Sequence, residues 1–310
     1  MRVLFWGTPD FAVPSLRALL GEGHEVVGVV TQPDRPAGRG RKLRPSPIKE
    51  LATEEGLPVL TPDTPRGEEF MASLEALEPE ISVVVAYGHI LRPEVLELPP
   101  RRSINVHASL LPELRGAAPI NWAVARGYDR TGVTVMRMTA GMDEGPILLQ
   151  LETPIAPDDT ATGLHLRLSE LGAEALVEAL TRLEAGGLEE VEQDHERATY
   201  APKLDRAAAR IDWSRPAEDV ARHIRAMDMI PGAWSTLGEE PVKLFEPRVL
   251  EAAPGEEPGT VIHAAPESGL VIQAGLGGVS IDEVQPPGKR RMGAGDWLRG
   301  GGPGPGDRFR

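Results

Sequence analysis

Residues 1–20 read MRVLFWGTPDFAVPSLRALL. The run Val3–Trp6 is short and wholly apolar, Gly7, Thr8, Pro9 and Asp10 interrupt it, and Leu16, Leu19 and Leu20 then recur at helical spacing. This is strand, turn, helix. The alternation continues through EVVGVVT (25–31), an irregular stretch to residue 47, a helix near 48–56, LPVL (57–60), a helix near 67–78 and ISVVVAY (81–87). Further strands are expected at SINVHA (103–108) and GVTVMRM (132–138), with a helix in GAAPINWAVARG (116–127) and a long amphipathic helix over 162–186. Short continuous apolar strands between helices predict a Rossmann-like, mostly parallel α/β sheet that binds its ligands beyond the carboxyl ends of its strands.

A chain of 310 residues exceeds what one hydrophobic core usually serves, and its texture changes near residue 205. One helix in PAEDVARHIRAM is followed by short runs such as WSTL, VKLFEPRVL, GTVIHA and GLVIQA between Gly and Pro turns. These predict a small C-terminal barrel or sandwich, so the expected domains are 1–204 and 205–310. The composition of the tail GGPGPGDRFR predicts a loosely held end.

Composition excludes several classes of chemistry. The chain has no cysteine, hence no disulfide, no thiolate nucleophile and no Cys-ligated zinc. Its seven histidines form no H-x-x-x-H or H-E-x-x-H pair, so no metal is expected. No apolar run approaches the roughly 20 residues of a membrane span, and the N-terminus lacks the features of a secretory signal. A cytoplasmic location is therefore expected, and with no interface signal a monomer. The net charge of −14 argues against a broad nucleic-acid surface, and 4% aromatic content against an RNA-binding module that relies on base stacking. One local exception stands out: Thr31 to Pro47 carries Arg35, Arg39, Arg41, Lys42 and Arg44 against Asp34 alone. Read by itself this is either a solvated loop or a phosphate-seeking arm.

The turn after the first strand does not match the dinucleotide fingerprint G-x-G-x-x-G, because Gly7 is followed by Thr8, Pro9, Asp10, Phe11 and Ala12. The chemistry points to SINVHASLLP (103–112). Strand alternation puts Asn105 and His107 on one face, about 6.6 Å apart along the strand, where both could reach one small acceptor. Pro112 and Gly116 then take the chain out of the sheet at its ligand edge. Ser109 lacks the G-x-S-x-G elbow of a serine nucleophile. A third group, Asp143, lies in AGMDEG (140–145) after the strand 132–138; if it meets His107, its carboxylate would orient the imidazole. Residue types alone leave a second possibility, with Asn105 and His107 as satisfied core groups and Asp143 in a solvent-facing turn.

Several segments resemble the folate-dependent formyltransferases: FWGTPDFA (5–12), VVVAYGHIL (83–91), INVHASLLPELRGAAPINW (104–122) and TGVTVMRMTAGMDEGPIL (131–148). TQPDRPAGRGRKLRPSPIK (31–49) and ARIDWSRPAEDVARHIRAM (209–227) resemble the branch of that family that acts on an aminoacyl-tRNA. The resemblance implies a catalytic trio at Asn105, His107 and Asp143, and a site for 10-formyltetrahydrofolate lined by Ser109, Leu110, Leu111 and Pro112. It also implies an OB-like second domain and a basic loop contacting methionyl-initiator tRNA through Arg35, Arg39, Arg41, Lys42 and Arg44. The implied reaction passes the formyl group to the free α-amine of that tRNA. Rivals are an enzyme of the same fold that formylates an amino sugar nucleotide, or one that hydrolyses the folate's formyl group.

Overall fold

The structure, a computed structural model, describes residues 1–37, 42–228, 230–251 and 255–310. They form two compact units, the first of Met1–Pro119, Arg130–Pro154 and His165–Ala201, the second of Ile120–Asp129, Ile155–Leu164 and Pro202–Arg310.

The first unit is built on a seven-stranded sheet of β1 (Arg2–Gly7), β2 (Glu25–Val30), β3 (Val59–Leu60), β4 (Ile81–Val85), β5 (Ser103–His107), β6 (Arg130–Arg137) and β7 (Ile147–Pro154). Their order is β7-β6-β5-β4-β1-β2-β3. The five strands from β5 to β3 run parallel, and β6 and β7 add an antiparallel edge, so the sheet is mostly parallel as expected. Val3, Leu4, Phe5 and Trp6 are all buried, as is every residue of β4, which places these strands inside with both faces covered. Trp6 donates to Ser82 Oγ at 3.3 Å and packs edge-on against Tyr87, whose hydroxyl is buried and held protonated by burial, with its pKa pushed up to about 12. Helices start where local chemistry favours it. Helix α1 (Val13–Gly21) has proline in its first turn; α2 (Pro47–Glu54) is capped by Ser46, whose hydroxyl accepts from Lys49 N at 3.1 Å.

Two features differ from expectation. Strand β7 has no counterpart among the expected strands; only one of its eight residues, Leu148, is fully buried, which weakens its apolar signature. The stretch expected to be irregular contains a short antiparallel ribbon, Arg35–Ala37 against Lys42–Arg44, in register Arg35 to Arg44.

The second unit contains α3 (Ala217–Ala226) and an antiparallel sheet of β8 (Trp234–Leu237), β9 (Glu240–Leu250), β10 (Val261–Ala265), β11 (Gly269–Gln273) and β12 (Gly278–Gln285), ordered β8-β9-β12-β11-β10. The sheet curls until its two edges meet the C-terminal residues. Phe309 bridges to Leu237 at the end of β8, and Arg308 bridges to Thr260 beside β10. Arg310 N donates to Thr236 O at 2.8 Å and Thr236 N returns a bond to Arg310 O at 2.9 Å. Phe309 is buried beside Trp213. The expected loose tail is thus corrected: its Gly and Pro residues shape the approach, but residues 306–310 close the barrel.

Candidate active site

Strand β5 lies between parallel β4 and antiparallel β6, with Asn105 opposite Met136 and His107 opposite Thr134. Alternation sends both side chains to one face. His107 is buried, and its Nε2 lies 3.0 Å from the carbonyl oxygen of Leu114. A carbonyl only accepts, so Nε2 carries the hydrogen and Nδ1 is left to face the site. Nδ1 is 3.7 Å from Asp143 Oδ2, within ion-pair range but beyond a direct hydrogen bond. The carboxylate is held from the other side by the backbone N–H of Gly116, at 2.8 Å from Oδ2.

The loop that leaves β5 therefore touches both ionisable partners through its backbone. Leu114 and Gly116 stand at φ 57° and 111°, and a Cβ on residue 116 would come within 2.8 Å of Ala201 O. Glycine is required there. Arg115 and Gly116 pair in parallel with Tyr200 and Ala201, which fixes the loop. Asp143 itself is left-handed, at φ 53°, and a Cβ on Gly145 two residues later would strike the carbonyl of Arg137. The turn that presents the carboxylate is thus constrained at both ends.

Neither end of the Asn105 amide has a partner among the described residues, and its oxygen is buried. A buried amide with a purely structural role is normally hydrogen-bonded, and leaving one unmet costs about 1–3 kcal/mol. The Asn105 amide beside His107 is left unmet by the described residues of the protein.

Ser109 is buried and donates through Oγ to Glu113 O at 2.6 Å, so its hydroxyl is committed to the loop. Leu111 is buried, while Leu110 and Pro112 are half-buried. A residue that sequence reasoning missed holds this segment. Thr134 Oγ1 donates to Ser109 O at 2.6 Å and accepts from Leu111 N at 3.1 Å; Gln150 Nε2 reaches both Thr134 Oγ1 and Leu111 O at 2.9 Å. The available signal was a lone threonine inside the apolar run GVTVMRM, opposite His107. Arg115 and Gln193, also missed, are buried near Asp143 and carry no periodic signature.

In the basic loop, Arg35 and Arg44 are exposed and directly opposed across the ribbon, while Asp34 is paired with Lys49 at 2.8 Å. Lys42 belongs to the second strand of the ribbon; Arg39 and Arg41 lie outside the described residues. Like charges directly opposite each other are unfavourable in a sheet, and Arg35 Nη2 donates to Gln32 Oε1 at 2.5 Å. In the second unit a cavity of ≈ 540 Å³ is lined by Arg206, Trp234, Lys243 and Lys289 among others, with the Arg206 and Arg210 guanidiniums 4.9 and 5.6 Å from the Trp234 ring. Among the described residues no cluster of three His, Asp or Glu could hold a metal, and no helix is long and apolar enough to cross a membrane.

An imidazole backed by a carboxylate, an unmet amide one strand-repeat away and a loop at the carboxyl edge of a parallel sheet suit transfer of an acyl-type group. The family model for formyl transferases matches residues 1–180, and that for the formyl transferase C-terminal domain matches residues 203–302. The chain belongs to the formyl transferase family. Its full-length relatives include the methionyl-tRNA formyltransferase of Symbiobacterium thermophilum, 49% identical over 100% of this chain and 95% of that protein. The methionyl-tRNA formyltransferase of Pseudomonas fluorescens is 50% identical over 94% of this chain and 91% of the relative. Among solved structures, the N-formyltransferase from Helicobacter canadensis in complex with folinic acid and dTDP-3-aminofucose aligns with a TM-score of 0.65. It is 17% identical and covers 94% of this chain and 100% of its own, a likeness of fold alone.

Proposed function

We propose that this enzyme transfers the formyl group of 10-formyltetrahydrofolate to the α-amino group of methionyl-initiator tRNA, forming N-formylmethionyl-tRNA. The observation that carries the reading is the 3.7 Å approach of His107 Nδ1 to Asp143 Oδ2, beside the unmet amide of Asn105. In this reaction the amine nitrogen bonds to the formyl carbon, the bond from that carbon to N10 breaks, and a proton passes from amine to N10. A free α-amine has a reference pKa of about 7.7–8.0 and must shed its proton before attack. Asn105 and protonated His107 donate to the developing oxyanion through the face they share on β5. Asp143 orients His107 and, through water, relays the proton from the amine to the leaving nitrogen.

Ser109, Leu110, Leu111 and Pro112 line the folate site, a role supported by the rigid clamp that Thr134 and Gln150 place on that segment. The unmet Asn105 amide and the fixed backbone at residues 109–111 fit a polar, planar ligand at the sheet edge. The exposed pair Arg35 and Arg44, with Arg39, Arg41 and Lys42, contacts phosphates of the tRNA. Residues 1–204 carry the chemistry, and the OB-like barrel of 205–310 assists tRNA binding. The enzyme acts in the cytoplasm as a monomer.

The experiment supplies purified protein with 10-formyltetrahydrofolate and either methionyl-tRNA or an amino sugar nucleotide. N-formylmethionine on the tRNA is the expected product. Formylation of the sugar nucleotide alone would replace the reading with its rival.

A further inference from the structure

We propose that Gln193, held by Arg115, is a positioning residue that sets where the Asp143 carboxylate stands relative to His107; the inference rests on the formyl-transfer reading above. Gln193 is 4% exposed and lies 50 residues beyond Asp143 in sequence. Its Nε2 donates to two carbonyl oxygens, Asp143 O at 2.9 Å and Gly145 O at 2.7 Å. Its Oε1 accepts from Arg115 Nε at 3.1 Å and Nη2 at 2.6 Å. Both donor hydrogens and both acceptor positions of the amide are used. The orientation is also unambiguous, because the reverse would set NH₂ against a guanidinium and oxygen against two carbonyls.

Arg115 makes this arrangement unusual. It is 2% exposed, and its hydrogen-bond partners among the described residues are Gln193 and His195, neither of them a carboxylate; His195 Nδ1 lies 3.1 Å from Nη2. A buried cation without a carboxylate is a poor choice for stability alone. Its neighbours in sequence explain its place. Leu114 O engages His107 Nε2, and Gly116 N–H engages Asp143 Oδ2. The backbone on either side of Arg115 therefore holds the two ionisable groups, while its side chain, through Gln193, holds the main chain of Asp143. The contacts form a closed ring from Arg115 through Gln193, Asp143 and Gly116 back to Arg115, and His107 is tied to it through Leu114. Asp143 adopts a left-handed backbone, and Gln193 pins the carbonyls on both sides of Glu144 so that this conformation persists. With only the Gly116 bond, the carboxylate would be free to swing away from Nδ1.

The test uses the full chain and the substitution Gln193→Glu, which keeps the shape and the acceptor for Arg115 but removes the two donor hydrogens. Wild-type turnover with methionyl-tRNA is measured first; its absence would remove the formyl-transfer reading itself, separately from this inference. Given wild-type turnover, Gln193→Glu should lower kcat by about tenfold or more and leave KM for both substrates within about threefold. In an Asp143→Asn background the same substitution should lower kcat no further, because the route through Asp143 is already disabled. A second variant, Arg115→Lys, keeps the charge but not the fork, and should lower kcat less than Gln193→Glu with KM unchanged. The proposal is overturned by an unchanged kcat in Gln193→Glu, by an equal drop in the Asp143→Asn background, or by an effect confined to KM. If Gln193→Glu does not fold, an unchanged kcat in Arg115→Lys overturns it.

Discussion

His107 and Leu114 are joined by a 3.0 Å contact between an imidazole Nε2 and a backbone carbonyl, seven residues apart on either side of the turn that leaves the sheet. Because that carbonyl can only accept, it fixes which nitrogen of the ring carries the hydrogen. Nδ1 is left facing Asp143, and under the proposed function it is the nitrogen that acts.

A pair of substitutions tests this. Glutamine at position 107 can renew the bond to Leu114 O but offers nothing near Nδ1, whereas asparagine can place an N–H close to the Nδ1 position. His107→Gln should lose about 10²- to 10⁴-fold in kcat, the range for loss of an acid-base group, and His107→Asn should retain more activity than His107→Gln. The reverse order would show that Nε2 is the working atom.

Asn105 should trade stability for rate. Replacing it with alanine removes a donor to the oxyanion and should cost about 10²- to 10³-fold in kcat. The same change removes a buried oxygen that has no partner, so thermal unfolding should occur at an equal or higher temperature than in the wild type. A large fall in melting temperature would instead assign Asn105 a structural role.

The opposed cations Arg35 and Arg44 should report on binding of phosphates. Substituting either with glutamine should raise KM for the tRNA without changing turnover at saturation. For every phosphate that is no longer neutralised, the slope of log affinity against log salt should fall by about 0.7–0.9. Since Arg35 and Arg44 are opposed in register across the ribbon, and like charges placed so are unfavourable, neither change should lower stability by much. An unaltered salt slope in the double variant would rule out the interaction.

Phe309 is 1% exposed and sits where the barrel closes. Truncation to alanine should destabilise the protein by about 3–5 kcal/mol, measured by denaturant unfolding, as for other large aromatic side chains cut from a core. A loss below about 1 kcal/mol would mean that the closure contributes little.

The sheet centre is legible in the sequence because strands such as Val3–Trp6 and Ile81–Val85 are buried on both faces and read as unbroken apolar runs. Ile147–Pro154 lies at the edge and exposes Gln150, Glu152 and Pro154, so its signal is diluted. Asn105 and His107 can be paired from strand alternation alone, whereas the glycine-flanked turn of Asp143 singles out the carboxylate without showing that it meets His107. Their supports cannot be read this way. Leu114 and Gly116 act through backbone atoms, which carry no residue-specific signature, and Gln193 reaches Asp143 across 50 residues without periodicity.

The closure of the barrel by residues 306–310 also imposes an order on folding. The perimeter is completed by joining residue 309 to residues 237 and 259, so the last segment of the unit must find partners about 50 and 70 positions upstream. Pairings of such long sequence separation form late and slowly. Until they form, the edges of β8 and β10 stay open, and unpaired strand edges invite pairing with other chains. The protein should therefore be most prone to aggregation during refolding, and a tag joined directly after Arg310 would tug on a residue already paired with Thr236.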